Sequence, residues 1–198
     1  MKQTILAAIA LAATPLTTAC TTTPSAEVTR FHLGDTSMLG RGPITIEPAQ
    51  GMETGTLEFG IWSSAVAQQL TAIGYGPINS GTASGQVAQI RVSQSTYQAV
   101  RNGSPVSVGV GGATGSYGGG VGMGIGIDLS GPPANQISTE LAVTIREKGS
   151  DRTVWEGRAN NMVSAKSSLA SPQASAQKLS AALFQGFPGN SGETITVR

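Results

Sequence analysis

The sequence predicts an α+β fold, a two-layer sandwich in which two helices pack on a mostly antiparallel sheet that carries a glycine-rich hairpin insertion. Three observations predict it. Several short runs alternate apolar and polar residues with the period of a strand. Two windows space their apolar residues at three and four, the period of a helix face. A turn-rich stretch at 147–152 joins two of the alternating runs closely enough to make a hairpin.

In chain order, Val28-Thr29-Arg30-Phe31-His32-Leu33 and Pro43-Ile44-Thr45-Ile46-Glu47-Pro48 read as short strands between Gly and Pro punctuation. Ile61, Trp62, Ala65, Val66, Leu70 and Ile73 then share one face of a helix over 60–73, with Gly74 as its stop. Gln86 to Tyr97 is a strand with Ala88, Ile90 and Val92 on one face. Leu141, Val143 and Ile145 alternate with polar or small residues, and Thr153 to Ala159 is the returning strand of the hairpin. Ser171-Pro172 opens the second helix, where proline at the first helical position costs no hydrogen bond. Its core face is Ala176, Leu179, Ala182, Leu183 and Phe187. Trp62 and Trp155 read as core residues, because buried aromatics dominate small cores.

Residues 103–131 stand apart, with 12 glycines in 29 positions and Asp128 as the only charge. Val106, Val108 and Val110 alternate, and Val121, Met123, Ile125, Ile127 and Leu129 alternate with glycine. Period two predicts two apolar-faced strands around a loop centred on Gly112 to Gly120. The plainest reading is a flexible or edge hairpin of the same sheet. Long uncharged strands are also templates for pairing, so Val121, Met123, Ile125 and Ile127 are candidate contacts for an envelope partner or for self-association. A glycine-zipper helix through Gly118, Gly122 and Gly126 is disfavoured by glycine's helix cost of about 1 kcal/mol per residue. A phosphate cradle lacks both G-x-x-x-x-G-K-[ST] and G-x-G-x-x-G.

The amino terminus supplies an address. Lys2 precedes the uncharged stretch Ile5 to Ala13, which is far short of the roughly 20 residues a spanning helix needs. Residues 1–19 have the length and flanks of a secretory signal, and Pro15 would break a buried helix there. Leu16-Thr17-Thr18-Ala19-Cys20 resembles a bacterial lipobox, although Thr17 stands where a branched aliphatic residue is usual. That resemblance implies cleavage before Cys20 and acyl chains on it, and two or three chains hold a protein stably at a membrane. The alternative is cleavage after Ala19, leaving a bare exported thiol. Thr21, rather than Asp, after the cysteine implies the outer membrane. Residues 20–27 are then a lipidated tether and 28–198 a single domain.

Charge and residue usage narrow the chemistry. The chain has 12 Lys and Arg against 11 Asp and Glu, and losing Lys2 with the leader leaves the two balanced. A neutral chain has no electrostatic grip on nucleic acid, which is not an expected partner. One cysteine and one histidine leave no material for a cysteine zinc cluster or a His-rich metal site, and no cofactor is expected. His32 sits alone in the first strand, and no G-x-S-x-G elbow occurs. Glu47, Glu53, Glu58, Glu140, Glu147 and Glu156 are scattered, and no spacing favours one pair for acid–base work.

Three segments together resemble a family of bacterial envelope lipoproteins known as domain of unknown function 4136. They are Leu70-x-x-x-Gly74-Tyr75 with Ala88-Gln89-Ile90-Arg91-Val92, then Val154-Trp155-x-Gly157-x-Ala159, then a terminal helix closing on Phe187-Pro188. The resemblance implies an α+β fold and an envelope location, and brings no catalytic residues. The expected function is a lipid-anchored, periplasm-facing, non-enzymatic binding or assembly module. The alternatives are a carboxylate-based hydrolase or carbohydrate-active protein with Trp155 in its cleft, and a subunit that self-associates through glycine-faced strands.

Overall fold

The computed structural model describes residues 24–76, 85–98 and 134–198, together with the backbone of strands 106–113 and 120–127. The elements run β1 (Ala26–His32), β2 (Ile44–Pro48), α1 (Leu57–Ala72), β3 (Gln86–Tyr97), β4 (Val106–Ala113), β5 (Gly120–Ile127), β6 (Gln136–Glu147), β7 (Thr153–Ser164), a 3-10 turn (Ser168–Ala170), α2 (Pro172–Phe184) and β8 (Thr194–Val197). Six strands form one open sheet in the order β2-β3-β6-β7-β1-β8. The β2–β3 pair is parallel and spanned by α1, and the other pairs are antiparallel. Two helices on a mostly antiparallel sheet make the expected α+β architecture.

Period two sorts the sheet into a core face and an outer face. Ala88, Ile90, Leu141, Val143, Ile145, Trp155, Ala159, Val28 and Ala26 point to the helices and are buried. Against them lie Trp62, Val66 and Leu70 of α1 and Ala176, Leu179 and Leu183 of α2, all in one cluster. Both tryptophans are core residues, as their positions predicted.

Helix α1 begins at Leu57, ahead of the expected residue 60. The Thr56 hydroxyl accepts the Phe59 N–H at 3.1 Å and caps it. At the other end Gly74 adopts φ +109°. Its N–H reaches Thr71 O at 3.1 Å and the Tyr75 N–H reaches Leu70 O at 3.0 Å, a Schellman closure with buried Tyr75 over Leu70. Ser171 caps α2 through Ala174 N–H, with Pro172 at the first position.

β1 starts at Ala26, so the last two residues of the expected tether are already in the sheet. The glycine-rich hairpin forms as two strands, with a correction to its place. β4 and β5 pair with each other in a separate two-stranded sheet and do not extend the main one. The strands it interrupts, β3 and β6, are paired with each other from Gln86↔Glu147 to Tyr97↔Gln136; β7 takes the other edge of β6 along its length, and β2 takes that of β3 from Gln86 to Ile90 only. Gly122 and Gly126 lie in β5, so the zipper helix is not formed.

Candidate functional site

The hypothesis of a carboxylate pair is tested by where the glutamates land. Glu47, Glu53 and Glu58 are exposed. Glu147 closes the β6–β7 turn, where Arg152 Nη2 donates to it at 2.9 Å and the Ser150 hydroxyl at 2.7 Å. These bonds hold its carboxyl below the usual range. Glu140 and Glu156 are half-buried on the outer face and share a hollow of about 340 Å³ with Arg91, Ala142, Thr144 and Arg158.

The register decides what that hollow contains. Ser93↔Glu140↔Asn160, Arg91↔Ala142↔Arg158 and Gln89↔Thr144↔Glu156 are successive outward rows across β3, β6 and β7. Glu140 and Glu156 are thus four residues apart along the ladder and one strand over, roughly 14 Å between Cα atoms. The row between them carries Arg91 and Arg158. The Trp155 ring lies on the opposite, core face of the sheet.

His32 is engaged with backbone. Its Nδ1 lies 2.7 Å from Leu33 O and its Nε2 3.2 Å from Gly189 O. It belongs to a latch that holds the chain after α2 against β1. Trp155 Nε1 donates to Pro188 O at 3.0 Å, Ser191 Oγ accepts the His32 N–H, and Gly192 N–H donates to Arg30 O. The peptide between Phe187 and Pro188 is cis. Trp155 stacks on Phe184 at 5.5 Å between centroids and meets Phe187 at 5.2 Å.

Arg30 is the residue that the sequence reading passed over. It lies on the core face of β1 opposite Gly157, and burial lowers its pKa while the charge of Glu193 pulls the other way. Its Nη2 donates to Ala182 O at 3.3 Å, in the last turn of α2, where the helix dipole favours a cation. The signal was available. Period two puts Arg30 on the same face as Val28.

The four partner-contact residues lie in β5, and the pairing fixes their positions. Val106↔Ile127, Val108↔Ile125, Val110↔Met123 and Gly112↔Val121 fall on one face of the ribbon. Ser107↔Gly126, Gly109↔Gly124, Gly111↔Gly122 and Ala113↔Gly120 fall on the other. Cys20 lies outside the described residues.

Comparison with known proteins defines the class and then the family. The molecule is a small α+β module with an open, polar outer face and a glycine-rich insertion. It belongs to the family described as Domain of unknown function (DUF4136), whose model matches residues 45–189. The uncharacterized protein ZMO1243 of Zymomonas mobilis is 26% identical over 213 aligned positions, covering 87% of this chain and 80% of that protein. Among solved structures, a PDZ domain protein from Parabacteroides distasonis is similar over 88% of this chain at TM-score 0.49 and 10% identity. The chain spans 39% of that protein's length. The PelC dodecamer from Paraburkholderia phytofirmans is similar over 84% of this chain and 99% of its own at TM-score 0.42 and 10% identity.

Proposed function

We propose that this chain is a lipid-anchored lipoprotein of the outer membrane, facing the periplasm, that acts as a non-enzymatic binding or assembly module. Acyl chains on Cys20 hold it at the membrane, and β5 supplies the contact through Val121, Met123, Ile125 and Ile127. The observation that carries the reading is the β4–β5 register. It gathers those four residues with Val106, Val108 and Val110 on one face of a ribbon separate from the main sheet.

Two measurements test it. Mass spectrometry of the amino-terminal peptide is expected to find diacylglyceryl-cysteine at Cys20, and a bare thiol would remove the anchor. Replacing residues 103–131 with a short Gly-Ser linker is expected to abolish envelope crosslinks and leave the melting transition unchanged. Crosslinks that persist in that variant would remove the contact site.

A further inference from the structure

Among the described residues the β4–β5 sheet contains two strands, each with a hydrogen-bonding edge that no described strand takes. Seven of the eight positions on one face are Val, Ile or Met, and the other face has only Gly, Ser and Ala. Neither strand contains a charged residue. Such a ribbon is marginal in water on its own. Stacking two copies face to face does not solve the problem. A face eight residues long and two strands wide measures roughly 26 by 10 Å, so two copies cover roughly 500 Å², about half of what a specific interface needs.

Hydrocarbon covers an aliphatic face of any size, but it demands that every backbone N–H and C=O be paired. Two open edges in lipid must therefore close on neighbouring strands. Aliphatic residues alternating with small ones along uncharged strands are the pattern of a spanning hairpin with a lipid side and a lumen side. Eight residues rise about 26 Å along the strand, or about 20 Å along a barrel axis at the usual tilt, against an apolar band of about 25 Å. In the sequence the alternation continues one step further, to Leu129, with Asp128 falling on the glycine side. The ribbon leaves the main sheet beyond Tyr97 and returns before its partner Gln136. At that end of the sheet Tyr97 and Met162 are exposed, at 54% and 55%, as suits residues at a membrane interface.

We infer that β4–β5 inserts into the bilayer, and that several copies of the chain join their ribbons edge to edge into one closed β-barrel. The face holding Val121, Met123, Ile125 and Ile127 meets lipid, and the glycine face lines the lumen. The smallest such barrels have eight strands, which requires at least four chains. The inference rests on the envelope reading above and names the partner as lipid together with further copies of the chain.

The test uses the acylated chain, purified from membranes in detergent and reconstituted into phosphatidylethanolamine and phosphatidylglycerol vesicles. Cysteines are introduced singly, Met123→Cys, Gly124→Cys, Ile125→Cys and Gly126→Cys, and labelled with a polarity-sensitive dye. The expected result is alternation: blue-shifted emission, quenched by nitroxide lipids, at 123 and 125, and water-like emission at 124 and 126. Native mass spectrometry of the detergent extract is expected to give four or more chains. Water-like emission at all four positions, or a monomer mass, overturns the inference and leaves the protein-partner reading standing. The unsubstituted chain separates the two ideas, because dye uptake at Cys20 would overturn the lipid anchor whatever the ribbon does.

Discussion

Gly157→Ala tests the packing that fixes the core. On the core face of β7, a Cβ at this position would lie 2.5 Å from Trp155 Cη2, 2.9 Å from Trp155 Cζ2 and 2.9 Å from Leu183 Cδ1. Neither neighbour can retreat freely. Trp155 is fully buried, stacked on Phe184, and held at Nε1 by Pro188 O, while Leu183 is fully buried in α2. Overpacking of this kind costs about 1–3 kcal/mol. Displacing the indole far enough to lose its hydrogen bond adds about 1 kcal/mol. The smaller backbone entropy of alanine returns about 0.5–1 kcal/mol. The net destabilisation is about 1–3.5 kcal/mol, equivalent to a fall in Tm of roughly 2–14 °C for a domain of this size. Urea denaturation followed by tryptophan fluorescence should show a lower midpoint with an unchanged slope. Gly149→Ala, whose Cβ would meet open space, is the matched control and should stay within about 0.5 kcal/mol. If Gly157→Ala behaves like the control, Trp155 and Leu183 are not held rigidly against β7.

Gly74→Ala should cost at least about 2 kcal/mol, because φ is +109° and the new Cβ would lie 2.5 Å from Gly40 O. Gly60→Ala, in the first turn of α1 with no atom within 4 Å of the new Cβ, should stabilise by about 0.5–1 kcal/mol in the same denaturation assay. Glu147 has a lowered folded pKa, so its contribution is present above the ordinary carboxylate value of 4.5 and is lost as pH falls through the lower folded value. Glu147→Gln should therefore flatten the dependence of stability on pH in that acidic range, and a parallel curve would contradict the assignment. Arg30→Met should lie within about 1 kcal/mol of the parent, since the buried guanidinium leaves Nε unpartnered, whereas Arg30→Ala opens a cavity and should cost about 2–3 kcal/mol.

Local patterns were legible where one residue type reports one environment. The alternation Ala88, Ile90, Val92 located β3 to the residue, and Ser171-Pro172 marked the start of α2. The start of α1 was missed because Leu57 is 89% exposed and adds nothing to the apolar period, so only the Thr56 hydroxyl signals it. Strand order is a different kind of information. Nothing in Val28 to Leu33 says that β1 lies between β7 and β8, since that depends on pairings more than 120 residues away in sequence. The separation of β4–β5 from the main sheet is likewise a matter of strand pairing, which no local pattern records. Among the candidate sites, the glutamate spacing in sequence left every pair open, and only the register set Arg158 between Glu140 and Glu156.

The pairing of Ala26 with Val197 ties the first described strand to the last, and both β1 and β8 fall outside the stretch matched by the family model. The sheet therefore finishes with pieces from opposite ends of the polypeptide. Until β8 has been delivered, β1 can dock on β7 but keeps a raw flank. A chain cut short by even its final handful of residues would mature with its amino-terminal strand half-held, open to proteases and to neighbours. β8 is thus the clasp of the domain, and a poor strand to lose.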